Sequence, residues 1–440
     1  MTHSLQKDFA RYVSQNILGM IGLSCYILAD TFFISQGVGA DGLTALNLAI
    51  PIYSFMSGTS LMIGFGGATR YTILRSQGER EKADIIFTRS VQFAVWMAAV
   101  FVLMGFTLPE KLGYLLGGRG EVLSMTAVYL RVDLLFAPAF IINNVLLAFN
   151  RNDGAPGLAM AAMLSASISN IILDWIFIFP LQMGMFGAVL ATGTAAVIGL
   201  LVQSVRFIRR KHTFRLRAVL PSLRAVGDIC ALGVSSLISD LSSGIVMIAF
   251  NAIILSLAGN TGVAAYGVVA NIALVVTAIF SGIISGAQPL LSSAYGRGQE
   301  KDLRKLYRMS LGTALVISMV IYILTYLFAS PVAAVFNRDC DPVLQQIAID
   351  GLRLYFTAFP MVAVGMVTAA YFSAVERPVP ACLISVCRGF AVMLPVTFLM
   401  AALLGMTGVW LAYPVSEMIT AALSVVLYIY AARKERRKCP

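Results

Sequence analysis

The sequence predicts an all-α polytopic membrane protein: twelve transmembrane helices in two six-helix bundles related by a pseudo-twofold axis along the membrane normal. Composition, the spacing of the apolar runs and a repeat at half the chain length carry that prediction. Of 440 residues, 59% are apolar and only 12% charged, and the mean hydropathy is +0.84; soluble proteins run at roughly 45–50% apolar and about 25% charged. So few charges cannot cover a soluble core of that size. Twelve spans of roughly 20 apolar residues would absorb about 240 residues.

Apolar stretches of spanning length fall at 12–35, 42–68, 90–108, 122–149, 157–180, 184–207, 225–258, 263–291, 310–336, 344–373, 381–404 and 408–431. Pro51, Pro289, Pro360, Pro395 and Pro414 interrupt them singly, which membrane helices tolerate because neighbours satisfy the freed carbonyls. The leading segment MTHSLQKDFARYVSQN has neither a signal-peptide apolar core nor a small-residue cleavage site, so the first span is expected to remain in the mature protein. Gly64-Phe65-Gly66-Gly67 lies inside an apolar run with no strand before it and no Lys-Ser/Thr after it; close helix packing explains it better than a phosphate loop.

A shift of about 220 residues aligns Gly184-Met185-Phe186-Gly187 with Gly405-Met406-Thr407-Gly408, Arg131 and Pro138 with Arg353 and Pro360, Pro156 with Pro378, and Gly78 with Gly298. Six spans per repeat is even, so both halves insert with the same orientation, as in some transporters. The expected division is a tail over 1–11, an N-lobe over 12–207, a basic linker over 208–224, a C-lobe over 225–431 and a basic tail over 432–440.

Charge sets the orientation. With the N-terminus inside, 26 of the 32 Lys and Arg fall in inside segments, among them Arg70, Arg75, Arg151, the linker cluster from Arg206 to Arg224, and Arg377. Outside loops hold Lys111, Arg119 and Arg338, while Arg131, Arg353 and Arg388 lie within or at the edge of spans. Both termini are therefore expected in the cytoplasm, with the chain in the cell inner (plasma) membrane. The net charge of +11 reports topology, and no nucleic-acid partner is expected. Cys25, Cys230, Cys340, Cys382, Cys387 and Cys439 form no CxxC pair, and His3 and His212 both lie in basic polar segments. No disulfide framework, metal cluster or hydrolytic triad is predicted, and no enzyme.

The segment Ala29-Asp30-Thr31-Phe32-Phe33-Ile34, the run GVGADGLTALNLAIPI (37–52), its counterpart VAAYGVVANI (263–272) and GAQPLLSSAYGRGQ (286–299) resemble the multidrug and toxic compound extrusion (MATE) family. The resemblance covers essentially the whole chain. It implies a monomeric antiporter in the lipid bilayer that exports small organic, cationic amphipathic compounds in exchange for Na+ or H+, with no cofactor. A lipid-linked-saccharide flippase of the same superfamily is the alternative; it would expect several basic residues inside the membrane.

Five carboxylates fall well inside the spans: Asp30, Asp133, Asp174, Asp240 and Glu417. Placing a charge there is expensive, so each is a functional-site hypothesis. Asp30 and Asp174 share a level with Ala188 and Thr192, and Asn170 precedes Asp174 by one helical turn. Carboxylates, an amide, a hydroxyl and a free carbonyl are the hard oxygen ligands that an alkali cation accepts, and paired carboxylates also hold a proton. The resemblance implies the same set, Asp30, Asn170, Asp174, Ala188 and Thr192, as the N-lobe cation site. Asp240, Glu417, Asn47 and Gln288 are expected to line a substrate cavity between the lobes, with Asp240 and Glu417 offering charge to a cation. Asp133, Arg131 and Arg353 read as interface or structural residues. The tenth span has no carboxylate and carries Arg353, which argues against a C-lobe cation site of the kind some relatives have. Helix 1 has no proline, leaving Gly19 and Gly22 as its soft points.

Overall fold

The computed structural model describes residues 2–209, 212–337 and 341–436; Arg210, Lys211, Arg338, Cys340, Arg437, Lys438 and Cys439 lie outside them. The N-lobe comprises α1 (Thr2–Gly37), α2 (Ala40–Ser76), α3 (Arg80–Thr107), the short α4 (Pro109–Leu115), α5 (Gly120–Leu135), α6 (Ala137–Asn152), α7 (Pro156–Ile178) and α8 (Gly184–Ile208). The C-lobe follows as α9 (Leu223–Gly296), α10 (Glu300–Leu327), the short α11 (Ala329–Phe336), α12 (Pro342–Tyr355), a 3-10 turn at Phe356–Ala358, α13 (Phe359–Ala374), α14 (Pro378–Val386), a π-helical turn at Cys387–Ala391, and α15 (Met393–Arg436).

Among the described residues nine helices are long and apolar enough to cross a membrane, and α5 with α6, bent by 51°, makes a tenth. The bend falls where Pro138 enters the helix and removes a backbone donor. Two of the ten are double spans. Gly259 (φ 62, ψ −157) breaks α9 and Gly405 (φ 59, ψ −134) breaks α15, at dihedrals that glycine adopts without a Cβ penalty. Twelve spans in two bundles result.

Helices extend beyond the apolar runs that announced them. Residues 2–11, expected as a tail, are the first turns of α1, and their Phe9 is buried in the same core cluster as Ile283 and Ala287 of α9. Helix α1 is continuous, and the expected soft points are packing positions: Gly19 faces Met163, and Gly22 faces Leu164 and Ser167.

The lobes meet closely at the end that bears the termini. A Cβ added at Gly66 would lie 2.0 Å from the Ile229 carbonyl oxygen, and one at Gly233 2.0 Å from that of Met62. Gly282 and Gly286 of α9 sit against Ile17 and Val13 of α1 in the same way. An ion pair from Arg70 to Glu376 crosses from α2 to the turn before α14.

The basic segment between the lobes is an extended strap bound to the N-lobe. Phe214 is buried among Tyr71, Phe87, Phe149 and Phe207. Arg215 N donates to Asp84 Oδ1 at 3.0 Å, Arg217 N to Thr88 Oγ1 at 3.0 Å, and Gln92 Nε2 to the Val219 carbonyl at 2.8 Å. Asp153, in the turn before α7, pairs with Arg75 and with Arg206 (2.7 Å) and accepts from Thr213 N at 3.0 Å. Burial against Phe207 and Phe214 holds the His212 imidazole below its ordinary pKa.

Candidate functional site

Three helices bring the predicted N-lobe residues together. Helix α1 supplies Asp30 (7% exposed), α7 supplies Asn170 and Asp174 (both 0%), and α8 supplies Thr192 (6%) and Ala188 (0%). Asn170 and Asp174 share a face because they are one turn apart. Small residues let the helices approach: Gly22 admits Ser167 and Leu164, and Gly37 admits Ile178. Asn170 Nδ2 donates to Thr192 Oγ1 at 3.3 Å, and Thr192 Oγ1 donates to the Ala188 carbonyl at 3.2 Å.

Asp30 and Asp174 face one another across the contact of α1 with α7, buried and with no basic side chain paired to either among the described residues. Two carboxylates have no hydrogen to share unless one is protonated or a cation lies between them. Among the described residues, Asp30 Oδ1, both oxygens of Asp174 and Asn170 Oδ1 are buried and receive no hydrogen bond. Buried acceptors of this kind are ordinarily satisfied. Their convergence leaves a set of hard oxygens open for a proton or a small cation.

Asp133 of α5 belongs to the same neighbourhood, contrary to its reading as an interface residue beside Arg131. It is 0% exposed, neither of its oxygens receives a hydrogen bond, and Tyr129 and Leu130 of the same helix pack in one cluster with Ile34 of α1, Ile178 of α7 and Ala188 of α8. Arg131, two positions earlier, falls on the opposite face of the helix, where it is half exposed and reaches Glu110 at 3.6 Å. The buried positions of α5, Thr126, Ala127, Tyr129, Leu130, Asp133 and Leu134, carry the 3–4 spacing that would have shown Asp133 facing inward.

The four expected cavity residues are scattered. Asp240 packs beside Ser57 and Gly58 of α2, at the lobe boundary, with Oδ2 buried and unmet. Glu417 does not offer a free charge: Arg388 Nε donates to its Oε1 at 2.7 Å, and the pair is buried beside Tyr355 and Tyr413, whose rings stack at 4.2 Å. The π-helical turn, closed by Val392 N to the Cys387 carbonyl at 3.0 Å, carries Arg388 to that position. Gln288 is 3% exposed and belongs to the seam between lobes, donating to Thr69 Oγ1 at 2.8 Å and accepting from Asn152 Nδ2 at 3.0 Å. The amide pairing of two closed helix faces, rather than a cavity wall, explains its place. Asn47 is exposed. Arg151, counted with the inside loops, is likewise buried at 4%, and Arg353 lies over the Tyr326 ring at 5.1 Å.

The MatE family model matches residues 16–176 and 236–399, one segment in each lobe. The multidrug export protein MepA of Staphylococcus saprophyticus is 26% identical over 433 residues, covering 98% of this chain and 94% of that protein. MepA of Staphylococcus aureus is 26% identical over 421 residues, with 95% and 92% covered. Among solved structures, an outward-facing multidrug resistance MATE transporter of the MOP superfamily superposes with a TM-score of 0.91 at 25% identity, covering 98% of this chain and 97% of that one.

Proposed function

The chain belongs to the MATE family of multidrug efflux transporters, and on that premise we propose that it exports amphipathic organic cations in exchange for Na+ or H+ bound at Asp30 and Asp174. The observation that carries this reading is the convergence of two buried aspartates and Asn170 with no donor to meet their oxygens. In this reading both termini are cytoplasmic, as the excess of Lys and Arg at that end supports, and the closed seam at the termini makes the described state outward-facing.

Transport then follows from differential affinity. A cation or proton neutralising Asp30 and Asp174 removes their repulsion and lets α1 and α7 draw together, so ion binding favours one arrangement of the N-lobe and disfavours another. A cationic substrate held near Asp240, whose Oδ2 is buried and unmet at the lobe boundary, leaves as that equilibrium shifts. Thr192 and Ala188 position Asn170 and contribute oxygen from α8.

The test is gradient-driven ethidium uptake into everted vesicles with Na+ and H+ gradients imposed separately. Wild-type protein should respond to one gradient, which names the coupling ion, and Asp174→Asn should abolish that response while retaining a native melting profile. Full gradient-driven uptake by Asp174→Asn would overturn the assignment.

A further inference from the structure

Four turns at the end bearing the termini close with the same pair of backbone bonds, a Schellman motif in which one N–H reaches the carbonyl three positions back and the next N–H the carbonyl five positions back. Gly78 N donates to the Arg75 carbonyl and Glu79 N to that of Leu74; Gly154 N to Arg151 and Ala155 N to Asn150; Gly298 N to Tyr295 and Gln299 N to Ala294; Glu376 N to Ser373 and Arg377 N to Phe372. The first donor of each pair lies in the left-handed region, with φ of 87° at Gly78, 84° at Gly154, 67° at Gly298 and 56° at Glu376. Glycine adopts that conformation freely, and three of the four positions hold it. At the offset that aligns Pro156 with Pro378, Glu376 stands where the N-lobe has Gly154. A side chain there strains the backbone, and such strain persists where the surroundings hold it for a purpose.

What the side chain of Glu376 reaches is the other lobe: its Oε1 accepts from Arg70 Nη1 of α2. Arg70 adjoins Thr69, which meets Gln288 of α9 across the same boundary. At the offset that aligns Gly78 with Gly298, Arg70 corresponds to Leu290, so the pseudo-twofold counterpart of the ion pair would be Leu290 with Gly154, which carry no charge. The bond is made on one side of the seam alone. With side chains 39% and 22% exposed, the pair adds little to the stability of either lobe. Because it exists only while the lobes are together at this end, its whole contribution falls on the balance between two lobe arrangements.

We propose that Glu376 and Arg70 form a latch that biases the lobes toward the arrangement closed at the end bearing the termini, and that a glutamate occupies a glycine position in order to make it. The inference rests on export by exchange between two lobe arrangements and is independent of which ion Asp30 and Asp174 hold. Entry of a substrate from this end then requires the pair to part first, and the charge at Glu376, rather than the shape of its turn, sets how often the seam opens.

The test reads opening of the seam directly. Thr69, 2% exposed and bonded to Gln288 across the boundary, is replaced as Thr69→Cys in the full-length chain with its native cysteines removed, and alkylation by a water-soluble maleimide is timed in lipid nanodiscs without substrate or ion gradient. Glu376→Gly and Glu376→Gln should label at least about fivefold faster than this parent, the lower end of a coupling between two states. Arg70→Glu should label as fast, and Arg70→Glu combined with Glu376→Arg should return to the parent rate. Glu376→Gly should melt no lower than the parent, because glycine meets the backbone angle without a Cβ. Parent labelling rates in Glu376→Gly and Arg70→Glu would overturn the latch, as would a charge exchange that labels as fast as Arg70→Glu alone. A lower melting temperature in Glu376→Gly without faster labelling would make the pair a brace and overturn it too. No ion gradient enters these measurements, so their failure is separate from full gradient-driven uptake by Asp174→Asn, which would overturn the cation-site reading alone.

Discussion

In the N-lobe, Asp30, Asp133 and Asp174 are buried with oxygens that no protein donor meets, whereas in the C-lobe the buried Glu417 has Arg388 at 2.7 Å. The repeat makes the contrast specific. At the offset that aligns Pro156 with Pro378, Asn170 and Asp174 correspond to Val392 and Val396; at the one that aligns Gly184 with Gly405, Ala188 and Thr192 correspond to Val409 and Tyr413. The C-lobe counterpart of the aspartate cluster is apolar, and its charge, one turn away on each helix, is matched internally. A matched pair fixes geometry, while unmatched carboxylates keep a place for a charge that comes and goes. Among the described residues the C-lobe pair leaves only Glu417 Oε2 unmet, beside a guanidinium that balances its charge, whereas the three N-lobe aspartates leave unmet oxygens with no such partner.

The contrast can be broken by substitution. The largest effect is expected from Arg388→Ala, which leaves Glu417 buried and unpaired at a cost of about 3–5 kcal/mol. Thermal unfolding in detergent should show a large fall in melting temperature, mostly recovered by adding Glu417→Gln. A small effect would mean that the C-lobe pair is held as loosely as the N-lobe acids. Asp133→Leu should go the other way, since it removes two buried acceptors that no donor meets, a gain of up to about 1–3 kcal/mol; a drop in melting temperature would reveal a partner for Asp133. Thr192→Val, which removes one 3.3 Å bond to Asn170, should cost only about 0.5–1.5 kcal/mol while weakening ion-driven ethidium uptake. Unchanged ion dependence would take α8 out of the site.

Spans were legible because an apolar run of membrane length has few other uses, and Asp30, Asn170 and Asp174 because polar residues one turn apart must share a face. Local pattern did not disclose partners. Arg388 and Glu417 are 29 positions apart in the chain, and a five-residue π-helical turn shifts the helical phase that would have placed the guanidinium. Asp133 was grouped with Arg131 by closeness in sequence, although a separation of two puts residues on opposite sides of a helix. Arg151 fitted a count of basic residues near helix ends, a count that does not distinguish a side chain turned to water from one turned inward. Gln288, expected on a cavity wall, joins Thr69 of α2 and Asn152 of α6 through its amide, a pairing that only the packing of α9 on the N-lobe shows.

The strap between the lobes also limits how they move. Its last contact with the N-lobe is the Val219 carbonyl, and Ser222 already caps α9 by accepting from Ala225 N at 3.5 Å. Among the described residues of the strap, Leu220 and Pro221 alone lie between those two bonds, so while the Gln92–Val219 bond holds the start of α9 can travel no more than about 10 Å from Val219. The covalent join is a pivot rather than a tether, and parting of the lobes at this end must take the form of a swing about it.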